Sequence, residues 1–403
     1  MKNATISSLT LLSLSLASAS ALAQNSVTLY GGLDQGIVYQ NNQGTLGSKA
    51  PGSSNVKVAS GTWYGSRFGF RGSEDIGSGT RAVFDLQAGF APATGASTTS
   101  GVLFNRQIFV GLANDKYGTF TAGRQYTAYY LLLLPYSPMR TLPGAFDAHP
   151  GDIDSLDTTY RINNSLVYIS PSFHGITFGG SYALGGVPGR FDAGSTWSAA
   201  LQYLNGPFGI AAAVQRINNS TLNGGTWGTT STSNNPGQQG ISSVNQGYQT
   251  AAGTQRVAVT GGYAFNSVWD ISASYSNVEY IPGIASAFSN TAIFNTGGAV
   301  LHWRPESQDD VALAYSYTRA TRANGIDDAA QYHQIALSEA HWLSKRTAFY
   351  AVAAYQKAHG KTLGATGANS IIGATASIGD GFNSAPSSTS TQVAATVGFL
   401  VKF

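Results

Sequence analysis

Acidic side chains that could bind a cation are concentrated in one short segment. Asp152, Asp154 and Asp157 recur there, and Asp147 precedes them. A calcium loop of the EF-hand type spans about twelve residues, with a central Gly and a terminal Glu, and this segment lacks that pattern. The spacing therefore gives no support to a calcium site, although it leaves bound calcium open.

The histidines form no catalytic or metal-binding pattern. None belongs to an H-E-x-x-H or a G-x-S-x-G element. His333 and His341 fall on one predicted strand, but residues eight apart in a strand are separated by about 26 Å. The chain has no Cys, so disulfides and thiolate metal sites are excluded. We therefore predict no catalytic residue, no metal site and no cofactor.

The other side chains that could have a functional role are arginines in glycine- and aromatic-rich stretches. In an extended strand, Arg67 would share one face with Gly65, Gly69 and Arg71, while the other face is phenylalanine. Rings of charged side chains are one means of selecting ions. Whether these arginines do so depends on the elements that position them.

The composition is typical of neither an ordinary soluble domain nor a helical membrane protein. Only 10% of the 403 residues are charged, against about 25% in soluble domains. No run of about 18 apolar residues follows the N-terminal segment, which excludes spanning helices. A transmembrane β-barrel has few charged residues and no long apolar run, because one face of each strand is apolar and the other polar. The net charge of +3 is too small to indicate a nucleic-acid partner.

The N-terminus has the features of a cleaved export signal. Lys2 is followed by an uncharged stretch from Ile6 to Leu22, and Ala21-Leu22-Ala23 has the form that signal peptidase accepts. Ser and Thr interrupt the stretch, which disfavours a membrane anchor. We expect residues 1–23 to be removed. Residues 24–403 should form one barrel domain, because no linker or composition shift divides them.

Alternation with period two dominates the remaining chain. In four clear segments the apolar residues share one face, and the residues between them are mostly small or polar, which suits a wet interior. The apolar faces are Ala82, Phe84, Leu86, Ala88 and Phe90; Ile176, Phe178, Tyr182 and Leu184; Ile271, Ala273 and Tyr275; and Val311, Leu313, Tyr315 and Tyr317. Segment 104–112 is apolar on both faces, so the pattern does not show which side is outward.

Short and long connections alternate along the chain. Short turns are expected near 73–79, 114–118, 172–175, 205–208, 265–268, 304–309 and 343–346, and longer loops near 41–55, 92–101, 127–159, 186–194, 219–253, 280–288, 321–328 and 358–390. Seven turns and eight loops join sixteen strands, and an even number leaves both termini on the short-turn side. The pattern predicts an all-β, closed, antiparallel transmembrane barrel, since closure removes the unpaired edges that hydrocarbon does not tolerate.

The last predicted strand ends on an aromatic residue. Val393, Val397, Phe399 and Val401 alternate with smaller or polar residues, and the chain stops at Phe403. We expect Phe403 to lie in the aromatic girdle at the membrane interface. The same position is expected for aromatic residues near other strand ends, namely Tyr30, Tyr64, Tyr117, Tyr203, Trp269, Trp303 and Trp342.

Several motifs resemble those of the Gram-negative general porins, especially the β-proteobacterial ones. They include Ser26-Val-Thr-Leu-Tyr-Gly31, Ser66-Arg-Phe-Gly-Phe-Arg-Gly-Ser-Glu-Asp-Ile-Gly77, Arg106-Gln-Ile-Phe-Val-Gly-Leu112, Lys116-Tyr-Gly-Thr-Phe-Thr-Ala-Gly-Arg-Gln-Tyr126, Asn164-Ser-Leu-Val-Tyr-Ile-Ser-Pro171, Leu343-Ser-Lys-Arg-Thr347 and the terminal Phe403. The resemblance implies a homotrimer of sixteen-stranded barrels in the outer-membrane lipids, with short periplasmic turns and long extracellular loops. Such channels let small hydrophilic solutes and ions diffuse passively. The two-sided apolar segment 104–112 suits a subunit interface formed by early strands.

In that family the third long loop folds into the lumen, and its acids face basic residues of the opposite wall. The resemblance places this loop at 127–159, with Leu142-Pro143 and Phe146-Asp147 at its tip. It places the basic wall at Arg67, Arg106 and Arg161, with Arg124 and Arg71 as weaker candidates. The family's usual acid is replaced by Gly144, so the acidic side would consist of Asp147, with Asp152, Asp154 and Asp157 as further candidates.

Three arginines on one side of the pore, with the usual acid missing from the other side, predict a weak preference for anions. An arginine that faced lipid at the midplane would cost about 2–4 kcal/mol, so we expect these side chains to face the lumen. The plainer alternative is that they only solvate the wall or pair with the nearest carboxylate. A substrate-specific channel on the same scaffold is the alternative function. A barrel enzyme or an adhesin is disfavoured, because the chain shows no nucleophile–histidine pair and no passenger or plug.

Overall fold

A computed structural model describes residues 26–46, 50–140, 144–157, 160–227, 241–380 and 386–403. The predicted export signal at 1–23 and the loop-tip pair at 142–143 lie outside the described residues. The strands are β1 (Ser26–Gln43), β2 (Ser53–Ser60), β3 (Arg67–Gly77), β4 (Thr80–Gly89), β5 (Gln107–Asn114), β6 (Gly118–Gln125), β7 (Ile162–Ile169), β8 (Ile176–Ala183), β9 (Thr196–Asn205), β10 (Phe208–Asn218), β11 (Gly253–Ala264), β12 (Trp269–Ile281), β13 (Ala292–Trp303), β14 (Asp309–Ala320), β15 (Gln331–Trp342), β16 (Thr347–His359), β17 (Lys361–Gly364), β18 (Gly367–Gly373) and β19 (Thr391–Lys402).

Seventeen of these strands form one antiparallel sheet that closes on itself, because β19 pairs with β1. β2 and β3 both pair with β1, one beyond the other, so together they fill a single position in the wall. The barrel therefore has sixteen strand positions, which confirms the closed, antiparallel, sixteen-stranded fold predicted from the sequence. β17 and β18 form a separate hairpin in the last long loop.

The connections alternate in length as the sequence predicts. Short turns lie at 78–79, 115–117, 170–175, 206–207, 265–268, 304–308 and 343–346, and long loops follow β1, β4, β6, β8, β10, β12, β14 and β16. Helical structure in the described ranges is limited to α1 (Ala128–Leu133) and to 3₁₀ turns at Leu134–Tyr136, Pro138–Arg140, Gly144–Asp147, Pro150–Asp152 and Gln246–Tyr248. Within those ranges, no helix is both long enough and apolar enough to cross a membrane.

Whether a residue has an odd or an even number within its strand decides whether its side chain faces outward or inward, and this is called its parity below. The apolar faces identified from the sequence are largely outward: Phe178, Ile271, Leu313 and Tyr315, for example, are all exposed on the barrel exterior. The structure also resolves the two-sided segment, because Ile108, Val110 and Leu112 are exposed while Phe109 is not. The sequence alone could not separate these faces, since both carry large apolar side chains.

The aromatic girdle is only partly as predicted. Trp269 and Trp303 are outward and stack with their ring centroids 5.5 Å apart. Phe403 is 44% exposed, and its backbone exchanges two hydrogen bonds with Gly31.

Tyr30, Tyr64 and Trp342 were wrongly assigned to the girdle, because they face the lumen. Tyr30 donates a hydrogen bond to Asp85 (2.6 Å), and Trp342 donates one to Asp310 (3.0 Å). The Tyr64 ring lies beneath the Arg67 guanidinium, inside the barrel. The error arose because the type of an aromatic residue does not reveal its parity in a strand.

The outward face should tolerate charge near its edges and not at its middle. Leu337 lies midway along β15, between Leu313 and Ala353 on the neighbouring strands. We expect Leu337→Arg to lower the free energy of unfolding from lipid vesicles by about 2–4 kcal/mol, and His341→Arg, near the end of the same strand, by about 0–1 kcal/mol. Equal costs in a reversible denaturant titration would contradict this assignment of the lipid face.

Candidate functional site: the constricted lumen

The described residues of the long connection at 126–161, called loop L3 below, lie inside the barrel. Wall side chains donate hydrogen bonds to its backbone carbonyls: Gln202 to Leu132 (2.8 Å), Thr260 to Leu133 (3.0 Å), Arg256 to Ile153 (3.1 Å) and Gln334 to Phe146 (3.1 Å). All four donors are even-numbered, so even positions of β9, β11 and β15 point inward. The loop is thus fixed to the wall along much of its length.

Apolar packing adds to these hydrogen bonds. Thr127 caps α1 by accepting a hydrogen bond from the backbone N–H of Tyr130. The buried side chains of Tyr129 and Leu133 then pack on inward alanines of β9, β10 and β11. Alanine leaves room for a helix to lie close to the wall. These contacts hold the first part of L3 in a fixed position against the wall.

The wall that meets the tip of L3 is interrupted between β2 and β3. Residues 61–66 leave the sheet there and bind to Asp34, whose side chain is fully buried. Asp34 Oδ2 accepts hydrogen bonds from the backbone N–H groups of Trp63 (2.8 Å) and Tyr64 (2.7 Å), and Oδ1 accepts one from the hydroxyl of Tyr350 (2.6 Å). One carboxylate thus satisfies amides that the break removes from the ladder.

The interrupted segment also contacts L3 directly. The backbone N–H of Ala145 donates to the carbonyl of Thr62 (2.9 Å). Gly144 has φ +56°, and a Cβ there would lie 2.5 Å from the Thr62 oxygen. The position that resembles the family's acidic site therefore has no space for a side chain.

Three arginines predicted from the sequence, Arg67, Arg106 and Arg161, are brought together around Tyr126. The Nη2 atoms of Arg106 and Arg161 donate to the Tyr126 hydroxyl oxygen at 3.2 Å and 2.7 Å. Burial alone would raise the pKa of Tyr126, but the positive charges of Arg106, Arg161 and Arg67 hold that pKa below its ordinary value. Burial lowers the pKa of Arg106 to about 9, so it remains a cation at neutral pH. These three residues are called the arginine cluster below.

Arg124 and Arg71 differ from the cluster. Arg124 donates to the carbonyl oxygen of Asn105 (2.9 and 2.7 Å) and to the side chain of Asn163 (2.6 Å). These bonds tie three segments of the wall together. Arg71, also a weaker candidate by sequence, is exposed on the inner face of β3, with its guanidinium 5.1 Å from the ring centroid of Tyr30.

The predicted acidic side of the pore is not formed. Asp147, Asp152, Asp154 and Asp157 are all buried. Asp154 Oδ2 lies 2.6 Å from Nδ1 of His149 and accepts a hydrogen bond from Ser276 (2.6 Å). Burial alone would raise the pKa of Asp154, but these two partners and Arg256 hold that pKa below its ordinary value.

Asp147 is the acid on which the sequence argument mainly depended. Burial raises its pKa well above the ordinary value, and its Oδ2 atom has no hydrogen-bond partner among the described residues. Burial thus disfavours the charged form of this carboxyl, and its side chain does not line an open acidic face of the lumen. This corrects the expectation that the acids of L3 face the arginines across open water, because the loop packs with these side chains against the wall.

Sequence reasoning missed two residues that hold the site. Asp34 lies between the outward Leu33 and Gln35, so its parity indicated an inward side chain, but nothing indicated the break that it binds. Arg256 is fully buried, with its guanidinium 5.8 Å from the ring centroid of Tyr160. Its inward direction could also be inferred from the sequence, because Val257 and Val259 occupy the alternate, outward-facing positions of the same strand. In the described part of the chain, no three His, Asp or Glu residues are grouped so that they could hold a metal ion.

An apolar core occupies the lumen beside the long-loop ends of β12–β16. Inward residues Tyr280, Phe294 and Tyr332 pack there with Tyr248 and Leu363, which belong to two long loops. The ring centroids of Tyr248 and Phe294 are 5.7 Å apart. The wet interior predicted from small inward residues is therefore absent at this level, because the upper inward positions of these strands carry large aromatic side chains.

The inner wall along β2 and β3 is more open. β2 is exposed on both faces over most of its length. Its Lys57 pairs with the inward Val38, so it also points inward, and Arg67 and Arg71 follow it toward the periplasmic end. A cavity of about 490 Å³ below L3 includes Arg71 and Tyr126 in its lining. Lys57, Arg67 and Arg71 are called the basic ladder below.

Comparison with known proteins agrees with this architecture. A family model described as Gram-negative porin matches residues 8–361. The chain is 33% identical over 221 residues to an outer membrane porin protein of Bordetella pertussis, a match that covers 50% of this chain and 56% of that protein. It is 28% identical over 365 residues to outer membrane porin protein 32 of Delftia acidovorans, which covers 87% of this chain and 89% of that protein. The chain thus spans only a little more than half of the length of the Bordetella protein.

A solved structure shows the same fold. An anion-selective porin from Comamonas acidovorans superposes with a TM-score of 0.67 at 22% identity, covering 94% of this chain and all of that one. The two relatives are described as outer membrane porin proteins. With its closed sixteen-strand barrel, inward-folded third loop and matching family model, this chain belongs to the Gram-negative porin family of the outer membrane.

Proposed function

We propose that this protein forms a water-filled channel through which small hydrophilic solutes and inorganic ions diffuse passively, with a preference for anions. The observation that carries the proposal is the position of the basic ladder. The packed loops cover much of the remaining inner wall, whereas Lys57, Arg67 and Arg71 lie on its open part. An ion that crosses the barrel along this wall passes cations at three successive levels.

The local charge balance supports the sign of the preference. Arg106 and Arg161 of the arginine cluster are buried beside the ladder, and the carboxylates of L3 are buried as well, so the exposed charge of this wall is that of the ladder. Asp85, the cross-strand partner of Arg71, offsets part of this charge at the periplasmic end. Two unit charges about 8 Å apart interact by roughly 0.5 kcal/mol at ε ≈ 80 and 2 kcal/mol at ε ≈ 20. Such energies bias permeation without trapping an ion.

A substrate-specific channel on the same scaffold is the second candidate function. The aromatic core beside β12–β16 favours it, because that core fills part of the lumen with large aromatic side chains. Block of ion current by micromolar concentrations of one solute would support this function. Block by none of a panel of small organic anions would support general diffusion.

Three further features belong to the proposal. Residues 1–23 direct export and are then removed, and residues 24–403 act as one barrel domain. The channel has no catalytic residue and binds no cofactor. The functional unit is a homotrimer, which the exposed outward side chains of Ile108, Val110 and Leu112 support, because obligate subunit interfaces are strongly apolar.

Replacing the basic ladder tests the proposed anion path. The variant carrying Lys57→Gln, Arg67→Gln and Arg71→Gln should show an anion-to-cation permeability ratio several-fold below that of the parent at low salt. The difference should shrink at 1 M salt, where the Debye length is about 3 Å. The measurement is the reversal potential of the reconstituted protein in a salt gradient.

Two matched variants sharpen that experiment. Lys345→Gln removes an exposed cation from a periplasmic turn and should leave the ratio unchanged. Asp147→Asn should also leave it unchanged, because this side chain is buried and burial disfavours its charged form. If the ladder variant kept the parent's selectivity, or Asp147→Asn raised the anion preference, the proposed path would be wrong.

Asp34→Asn separates positioning from simple electrostatics. Asp34 holds residues 61–66, which support Arg67 and the tip of L3. Hydrogen bonds to a charged group are worth about 1.5–3 kcal/mol each, so the variant should loosen that segment and give a noisier channel with weaker anion preference. Removal of a negative charge by itself would strengthen the anion preference, so an increase in the measured ratio would refute the positioning role. Tyr350→Phe, which removes one of the three bonds, is the control and should give a smaller change.

The trimer is tested by its mass in detergent. The native protein should sediment as three chains, and the combined variant Val110→Gln and Leu112→Gln on β5 should dissociate at lower detergent concentration. Leu313→Gln with Leu337→Gln, on β14 and β15, should leave the assembly intact. A native monomer, or equal effects of the two pairs, would contradict an interface at β5.

A further inference from the structure

Three inward side chains of different chemistry occupy neighbouring positions on the inner wall. Arg71 on β3 lies opposite Asp85 on β4, and Asp85 lies opposite Phe109 on β5. Side chains directly opposite each other on neighbouring strands have their Cβ atoms about 5 Å apart. A cation, an anion and an aromatic ring therefore follow one another across about 10 Å of the wall. These three residues are called the mixed row below.

The two charges of the mixed row do not neutralise each other directly. Neither Arg71 nor Asp85 belongs to an ion pair among the described residues. Both are instead in contact with Tyr30. The guanidinium carbon of Arg71 lies 5.1 Å from the ring centroid of Tyr30, and Oδ1 of Asp85 accepts a hydrogen bond from its hydroxyl (2.6 Å). Gln87 donates to the same hydroxyl oxygen (3.0 Å), which fixes the ring between the two charges.

The mixed row borders an apolar surface inside the barrel. All three of its residues line the cavity of about 490 Å³ below L3. The same lining includes the apolar side chains Val83, Ala113, Leu131, Val167 and Ile169. Small-molecule sites are typically cavities of about 300–1,000 Å³ in which a few polar groups stand among apolar ones. A site of this kind accounts for the inward Phe109 of segment 104–112, which an outward subunit interface leaves unexplained.

We propose that the mixed row and this cavity bind a zwitterionic α-amino acid with an apolar side chain as it passes through the channel. The inference rests on the proposed channel function, whose substrate class it narrows. The exposed guanidinium of Arg71 donates to the carboxylate of the solute, and the carboxylate of Asp85 accepts from its ammonium group. The apolar side chain of the solute then lies on Phe109 and the apolar lining.

The order of the charges also excludes other solutes. An anion without an ammonium group is repelled by Asp85, and a cation without a carboxylate is repelled by Arg71. Specificity of this kind comes from unfavourable contacts with the wrong partner as well as favourable contacts with the right one. The mixed row therefore selects a molecule that carries both charges on adjacent groups.

The test measures binding of small solutes to the full-length protein in detergent. The readout is the half-saturating concentration for broadening of the solute's proton resonances, with empty micelles as the blank. L-phenylalanine is the probe, and its three analogues are 3-phenylpropionate, which lacks the ammonium group, 2-phenylethylamine, which lacks the carboxylate, and glycine, which lacks the ring. Each analogue should bind the parent protein about tenfold or more weakly than L-phenylalanine.

Single substitutions assign the two charges. Asp85→Asn, which keeps an acceptor for the Tyr30 hydroxyl, should bind L-phenylalanine about tenfold more weakly than the parent but 3-phenylpropionate at least as tightly. Arg71→Gln should weaken the binding of both solutes. Glu306→Gln removes an exposed acid from a periplasmic turn and should bind all four solutes like the parent.

Three results would overturn the inference. Equal binding of L-phenylalanine and 3-phenylpropionate to the parent would identify a plain anion site, equal binding of glycine would exclude the apolar surface, and an unchanged affinity in Asp85→Asn would remove the acceptor for the ammonium group. The reversal potential of the same preparation separates these failures from failure of the channel. A protein that conducts anions but gives one of these results keeps the channel function and loses the substrate class, whereas a protein that conducts no ions loses both.

Discussion

Backbone N–H and C=O groups that cross hydrocarbon must be paired within the protein, and the rest of this structure depends on that requirement. The chain meets it by joining β19 to β1, which closes the sheet on itself. Closure in turn imposes the alternation of inward and outward side chains on every strand. The apolar rows of the exterior and the polar or small residues of the wall are therefore consequences of one hydrogen-bonding constraint. At 61–66 a segment leaves the wall, and there the carboxylate of Asp34 supplies acceptors that the ladder has lost.

The same constraint determines how the lumen can be narrowed. A closed wall of sixteen strand positions encloses more space than its own inward side chains fill, so the loops decide the width of the passage. Here L3 is bound along the wall by hydrogen bonds from Gln202, Thr260 and Gln334. Other long loops add an aromatic core beside β12–β16. The passage is thereby directed toward β2 and β3, where the inward side chains are basic.

Burial also explains why positive charge exceeds negative charge along the passage. A carboxylate withdrawn from water must be neutralised or hydrogen-bonded. Asp154 is held by His149 and Ser276, whereas the pKa of Asp147 is raised by burial. Arg106 retains its charge, because even its lowered pKa lies well above neutrality. The docking of L3 thus removes negative charge from the passage while leaving the positive charge of the wall.

The sequence by itself determined the fold class, the number of strand positions, the alternation of turns and loops, and the membership of Arg67, Arg106 and Arg161 in one wall. These features follow from local periodicity and motifs, which a strand expresses whatever its neighbours are. The sequence could not determine the outward side of segment 104–112 or the inward direction of Tyr30 and Trp342, because parity depends on register with other strands. It also could not show that Asp34 binds residues 61–66, or that the acids of L3 are buried. Those outcomes depend on contacts between residues far apart in the chain, and only the closed tertiary structure brings such residues together.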